Sequence, residues 1–277
     1  MHGRSRPPVS IALLLLAIVA LVAGTLVGQG KAVRARKASA PSAQVEVQRG
    51  NRLQIAFVGS SDFPEFAESF RHALQMAIEQ HPTIRGFSVR VNEYDPPCFS
   101  GDVAAANTAV AARVVAHSQN AAVLGHLCSP GFGPALPTYE AAGLVTISGS
   151  ATVAGLAALG PTVFNRTALA DPGFESWYEL VKALPSEVAF RQDFVAEVGA
   201  EPLDLTDLYY DAATLLLRRL QQTSRIDRRG NLVIDRAALA RAVRSTVDFQ
   251  GVSCTITLDS AGNRVDDRDA LARCASG

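Results

Sequence analysis

Arg52-Leu53-Gln54-Ile55-Ala56-Phe57-Val58-Gly59, with the segment Pro64 to Gln80 that follows it, is the stretch on which the fold turns. The first part is a short apolar run closed by glycine and turn residues, the pattern of a strand buried on both faces of a parallel sheet. In the second part Phe66, Phe70, Leu74 and Ala77 or Ile78 recur at helical spacing and share one face. Outward from this pair the alternation repeats. Phe87 to Glu93 reads as strand, Asp102 to His117 as helix, Ala121 to Gly125 as strand, Pro134 to Ala142 as helix, and Leu144 to Ile147 and Val163 to Arg166 as strands. Such alternation implies right-handed βαβ units in a three-layer α/β fold whose sheet is mostly parallel and covered on both faces.

Beyond Asp171 the period changes. Phe174 to Ala183, Ser186 to Val198, Leu203 to Ser224 and Arg236 to Val247 are helical in period, and only Val252 to Leu258 reads as a further strand, ending in the turn Asp259-Ser260-Ala261-Gly262-Asn263. Residues 51–277 are therefore expected to form a single lobe, with a βαβ part over 51–170 and a helix-rich part over 171–277. Residues 31–50, rich in Ala, Ser, Gln and basic side chains without hydrophobic period, read as a linker.

With 48% hydrophobic residues the chain can bury a substantial core. Of 26 basic and 26 acidic residues, seven Lys/Arg and one Glu fall in the first fifty positions, which leaves 19 and 25, or about −6, for the rest. A mildly acidic domain with no basic patch carries no electrostatic footprint for nucleic acid.

Residues 1–30 read as a signal or membrane anchor, because no charge interrupts Val9 to Val27. Nineteen residues exceed the usual apolar core of a cleaved signal and approach a bilayer span, so retention as an anchor is favoured. No cysteine lies near this run for a lipid anchor. Lys31, Arg34, Arg36 and Lys37 outnumber Arg4 and Arg6, which by the positive-inside rule would hold the domain in the cytoplasm. The cysteines and the resemblance described below place it on the extracytoplasmic side instead.

Cys98, Cys128, Cys254 and Cys274 are an even number in a chain with an export signal, so disulfides are the default, with three pairings open. Cys98 and Cys128 follow neighbouring predicted strands whose ends lie close, which favours that pair and leaves Cys254–Cys274 to staple the tail; free buried cysteines are the alternative. His2, His72, His81, His117 and His126 are scattered without ligand spacing, and no nucleophile elbow or dinucleotide fingerprint is present. No metal, no cofactor and no enzymatic activity are expected, and His126 reads as a core residue.

Small polar residues gather after the predicted strands: Ser60 and Ser61 after the first, Ser129 after the third, and Ser148-Gly149-Ser150-Ala151-Thr152 after the fourth. Each alone reads as a turn or cap residue. Three such clusters converging outside the carboxyl ends of one open sheet form a candidate binding site.

Gly125-His126-Leu127-Cys128-Ser129, Tyr139 to Ser148 and Ser150-Ala151-Thr152 resemble the branched-chain amino acid (Leu/Ile/Val) binding periplasmic proteins of ABC transporters. Tyr94-Asp95 with Cys98, Tyr210-Asp211-Ala212-Ala213, and Phe249 to Ser253 with Gly262-Asn263-Arg264 extend the likeness. The resemblance implies the first lobe of a type I periplasmic-binding fold. It implies that Ser129, Ser150 and Thr152, in a motif with Ala151 at its centre, hold the carboxylate and amine of an amino acid or related carboxylate. Phe66 is the nearest aromatic residue to pack on such a ligand, and Ser61 joins it from the first strand's end. The chain departs from the family where Asp171 leads within a few residues to Phe174-Glu175-Ser176-Trp177, so most of a second lobe is absent. The expected function is thus extracytoplasmic solute binding for an ABC-type amino acid import system with a permease partner, weakened by the loss of a lobe. A membrane-tethered sensor or interaction module that self-associates, and a remnant that binds nothing, are the alternatives.

Overall fold

The computed structural model describes residues 43–276. The apolar run Val9 to Val27 and the linker as far as Ser42 lie outside the described residues. Among the described residues, no helix is long and apolar enough to cross a membrane.

Six strands form the main sheet, in the order β3 (Thr83–Ile84), β4 (Phe87–Tyr94), β2 (Leu53–Val58), β5 (Asn120–Gly125), β6 (Thr146–Ser148) and β7 (Phe164–Arg166). All pairings are parallel except β3 with β4. The period of two in β2 explains the layering: Leu53, Ile55 and Phe57 enter one core, Ala56 and Val58 the other. Helices α1 (Pro64–Gln80) and α6 (Thr206–Thr223) pack together on the first face, and α2 (Val103–Ala116) and α3 (Ser129–Ala142) on the second. Pro64 begins α1, where its missing N–H costs nothing, and the Asp102 carboxylate accepts the Ala105 N–H at 2.9 Å to start α2. This is the doubly covered, mostly parallel α/β sheet that the sequence implies.

Several boundaries differ. Helix α3 begins at Ser129, five residues ahead of the expected Pro134. Pro130 fits the first turn, and Phe132 is locked there by stacking on His126, with ring centroids 5.4 Å apart. The linker expected through residue 50 contains β1 (Gln44–Val47), whose Val45 and Val47 are buried and which pairs antiparallel with β9 (Leu232–Asp235). β9 in turn pairs with β8 (Arg225–Ile226). The expected strand Val252 to Leu258 is instead the second arm of a hairpin, β10 (Phe249–Gly251) and β11 (Cys254–Ile256). The Asp211 carboxylate pins the hairpin's turn, accepting the N–H groups of Val252 and Ser253 at 2.8 and 3.0 Å and the Ser253 hydroxyl. Gly251 leaves room for that carboxylate, since a Cβ there would lie 2.5 Å from it.

Between β7 and the next helix, α4 (Phe174–Lys182), only residues 167–173 intervene. Helices α5 (Pro185–Val198), α7 (Arg236–Arg244) and α8 (Arg268–Ala275) complete the second half. Both disulfides form, Cys98–Cys128 and Cys254–Cys274, the second fastening α8 to β11.

Candidate ligand-binding site

In the order β4-β2-β5-β6-β7 the chain winds one way from β2 to β4 and the other way from β2 to β5. The carboxyl ends of β2 and β5 therefore flank a topological switch point, the place where the loops of an open α/β sheet diverge and ligands ordinarily bind. The loop after β2 carries Ser60 and Ser61, the loop after β5 runs into Ser129, and the loop after β6 carries Ser150, Ala151 and Thr152.

Two devices fix these loops. The Cys98–Cys128 bridge ties the segment after β4 to the residue capping α3, next to Ser129. Asp62 then draws the same segment toward the β2 loop: one carboxylate oxygen accepts the N–H groups of Cys98, Phe99 and Ser100 at 2.8, 2.7 and 3.0 Å, and the other accepts the Ser100 hydroxyl at 2.6 Å. These bonds favour the charged form and hold the carboxyl down at about 2.

Beneath the loops His126 is wholly enclosed, with Nδ1 2.8 Å from Asn107 Oδ1 and Nε2 2.9 Å from the Tyr139 hydroxyl. Burial disfavours its cation and pushes its pKa down to about 3, so the ring is neutral. It is a core residue, and Gly131 is the residue that makes room for the network, since a Cβ there would stand 2.6 Å from Asn107 Oδ1.

Ser129, Ser150, Ala151 and Thr152 come together but differ in what they offer. Ser129 is partly exposed in the first turn of α3, where N–H groups have no intrahelical partner, and its Oγ accepts the Val153 N–H at 3.3 Å. Ser150 Oγ donates to the Leu127 carbonyl at 2.6 Å and lies 3.0 Å from the Tyr209 hydroxyl, so its side chain holds the loop in place. Ala151 is fully buried; its N–H goes to Ser148 Oγ and its carbonyl accepts from Arg166, so it is framework. Thr152 donates its hydroxyl to Asp171 Oδ2 at 2.7 Å, while its carbonyl accepts from the Asp171 N–H and from Arg166.

Phe66 lies in the first turn of α1 and Ser61 in the loop after β2. Phe66 meets Phe63 edge to face at 6.3 Å, and Phe63 meets Phe99 at 5.9 Å. Ser61 opens on a recess of about 290 Å³ shared with Ser60, Arg71, Glu93 and Asp95.

Sequence reasoning missed Asp171, Asp62 and Tyr209. Tyr209 stacks on Phe70 at 4.2 Å and carries its hydroxyl up to Ser150, linking the helical half to the site; burial raises its pKa to about 12. Nothing local in the sequence marks it, because its partners lie some sixty and one hundred forty residues away, a separation that only the fold closes. The triplet Asn165-Arg166-Thr167, which fits a glycosylation sequon, is buried in β7 and the residue after it.

No protein-family model matches the sequence, and no curated protein sequence matches it. Solved structures match in fold. The isoleucine complex of LivJ, a branched-chain amino acid transporter substrate-binding protein from Streptococcus pneumoniae, superposes with a TM-score of 0.61 at 15% identity, over 78% of this chain and 94% of that one. A leucine complex of an ABC transporter substrate-binding protein from Desulfitobacterium hafniense gives 0.60 at 15%, over 78% and 95%. An ABC transporter solute-binding protein from Rhodopseudomonas palustris with 3,4-dihydroxybenzoic acid gives 0.61 at 12%, over 77% and 91%. The chain thus has the type I periplasmic-binding-protein fold of these neighbours, as the sequence resemblance implies.

Proposed function

We propose that the chain is an extracytoplasmic solute-binding protein of an ABC-type import system, with a half-site for the carboxylate of an amino acid or a related small acid. The observation that carries this reading is the convergence of Ser129, Thr152 and the open first turn of α3 on the switch point of the sheet. A helix N-terminus with an adjacent hydroxyl favours an anion through its free N–H groups and the helix dipole. The fold neighbours are substrate-binding proteins with isoleucine, leucine or 3,4-dihydroxybenzoic acid bound, which supports a carboxylate ligand.

In this reading Ser129 and the α3 amides receive the carboxylate, and Thr152 with Asp171 faces the ligand's amine. Ser150 and Ala151 hold the loop, Phe66 covers the apolar end, and Ser61 bounds the crevice. The apolar run upstream anchors the domain beside a permease. Loss of a second lobe removes the groups that would close over the ligand, and losing a buried charge partner alone costs about 2–5 kcal/mol. Calorimetry of the full chain with leucine, isoleucine, valine and 3,4-dihydroxybenzoate is expected to give dissociation constants around 1 mM for at least one, equivalent to about −4 kcal/mol. Combining Ser129→Ala with Thr152→Val should abolish the signal. A sub-micromolar constant would refute the weakening, and no binding of any of the four would refute the half-site.

A tethered interaction module is the second reading, favoured by Phe99, 67% exposed and packed on Phe63 at the same sheet edge. Light scattering separates the two: a concentration-dependent dimer that Phe99→Ser dissolves supports it, and a monomer at all concentrations does not.

A further inference from the structure

Among the described residues three arginines are almost wholly buried: Arg166, Arg236 and Arg264, at 2%, 4% and 4% exposure. Arg166 donates to Asn263 Oδ1 and to the carbonyls of Ala151, Thr152 and Val153, with Asp259 and Asp171 near enough to favour its charge. Arg264 donates to Ser253 and to the carbonyls of Thr167 and Thr255, lies over the Trp177 ring at 4.5 Å, and has Asp211 and Asp207 nearby. Arg236 differs from both. Its Nη1 donates to the Ala142 carbonyl at 3.0 Å and its Nη2 reaches the Asn120 carbonyl only at 3.5 Å, while its Nε has no partner among the described residues. Burial alone acts on its pKa, downwards, and no carboxylate opposes it. A buried cation carries a desolvation penalty of several kcal/mol; the two carbonyls, one at the C-terminal end of α3, offset part of it, but no carboxylate among the described residues supplies a counter-charge.

Arg236 also lines a cavity of about 1000 Å³ between α7, the C-terminal end of α3 and the segment entering β7. Most of the wall is small and apolar, including Ala43, Ala142, Val163, Ala237, Ala240 and Leu258. Arg244, further along the same wall, is already saturated by the carbonyls of Pro161, Phe164 and Ser260 and by Asn165, with Asp259 and Glu140 near it. Arg241, on the same wall, is exposed to solvent, so Arg236 is the buried cation there whose hydrogen-bond partners include no carboxylate. The cavity opens where β6 and β7 begin, at the edge of the sheet opposite Ser129 and Thr152.

We infer that this cavity binds an amphiphilic monocarboxylate, an acid with an extended apolar body, whose head group supplies the counter-charge Arg236 lacks. A carboxylate offers two acceptor oxygens that match the planar guanidinium fork, and the apolar wall takes the chain by removing it from water. This site is independent of the half-site proposed above, and each can fail without the other.

The test is calorimetric titration of the full chain with laurate, kept below its micelle-forming range, and with dodecanol as the uncharged counterpart. Saturable one-to-one laurate binding is expected, at least tenfold weaker in Arg236→Gln, whereas dodecanol binding is weaker and indifferent to that substitution. Ala237→Trp, on the exposed side of the wall, leaves Arg236 in place and should block laurate by filling the mouth; it carries the test if Arg236→Gln does not fold. Ser129→Ala with Thr152→Val should leave laurate binding unchanged. Equal laurate affinity in wild type and Arg236→Gln, retained binding in Ala237→Trp, or no saturable binding would each overturn the inference.

Discussion

The βαβ half of the molecule and the returning half bury polar groups by opposite means. In the first, His126 sits between Asn107 and Tyr139 as a neutral ring with both nitrogens paired. In the second, ionisable groups are packed against one another: Asp211 anchors the β10–β11 turn, Arg264 lies between that turn and Trp177, and Asp207 receives the Tyr178 hydroxyl at 2.8 Å while its other oxygen has no hydrogen-bond partner among the described residues. A regular sheet satisfies its own backbone, so most polar atoms at its edge need only local, uncharged partners; Arg166 in β7 is the exception, and it reaches across to Asn263 of the returning half. Helices and a hairpin that return across the sheet end have no ladder joining them, and buried charge supplies their registry instead.

The sharpest way to break this contrast is to remove Arg264. Arg264→Met keeps apolar volume against Trp177 but strips the counter-charge from Asp211 and Asp207 and frees the carbonyls of Thr167 and Thr255. Breaking a buried charge arrangement from one side costs about 3–5 kcal/mol. Urea unfolding at neutral pH is expected to show a loss of that size, with the hairpin amides losing hydrogen-exchange protection before those of β2 and β5. Uniform loss of protection across both halves would show that the hairpin is not separately held.

Titration separates the halves by sign. Burial raises Asp207 from its ordinary 3.8 to about 7, so between about pH 4 and 7 the folded chain holds a proton that the unfolded chain has lost, and stability falls as pH rises. His126, lowered from 6.5 to about 3, stays neutral in the fold while the unfolded chain gains a proton below 6.5, so stability falls as pH drops. Each slope reaches at most about 1.4 kcal/mol per pH unit, and from about pH 4 to 6.5 they oppose one another. Asp207→Asn removes one of them. The difference in unfolding free energy between this variant and wild type should move in the variant's favour by several kcal/mol from pH 4.5 to 7.5, and His126→Gln should shift the comparison the other way. A pH-independent difference for Asp207→Asn would remove Asp207 from the account.

The same contrast explains what could be read from the sequence. Strand β2 and helix α1 follow directly from periods of 2 and 3.6, because their partners come from one repeating layer arrangement. The start of α3 was hidden by Pro130, Gly131, Gly133 and Pro134, whose propensities oppose a helix; the Cys98–Cys128 tie and the Phe132–His126 stack override them. β1, β8 and β9 are two to four residues long, too short to show a strand period; β1 pairs with β9 over a separation on the scale of Gln44 to Asp235, across which no local pattern speaks, while β8 and β9 form a local hairpin. The hairpin turn at Val252-Ser253 has no Asn-Gly signature, since Asp211, some forty residues earlier, does the work of turn chemistry. At the site, the gathering of Ser129, Ser150 and Thr152 followed from strand ends alone. Their separate uses did not, because Leu127, Tyr209 and Asp171 reach them only in three dimensions.

The smallest expected effect is at a surface charge of the βαβ half, Asp62. Asp62 holds residues 98–100 against the β2 loop through four hydrogen bonds. Its carboxyl lies at about 2 in the fold against an ordinary 3.8, so the contact is fully present above about pH 4 and is lost as pH falls through about 2. Asp62→Asn keeps one acceptor oxygen but loses the charge that draws three N–H groups together, and the disulfide still retains Cys98. Global unfolding should therefore hardly change, while exchange of the Phe99 and Ser100 amides should quicken at pH 5. In wild type the same amides should stay protected down to about pH 3 and then open. Unchanged exchange in the variant would mean that the disulfide alone sets this loop, and that the charge at the sheet's carboxyl edge has no structural part in shaping the crevice.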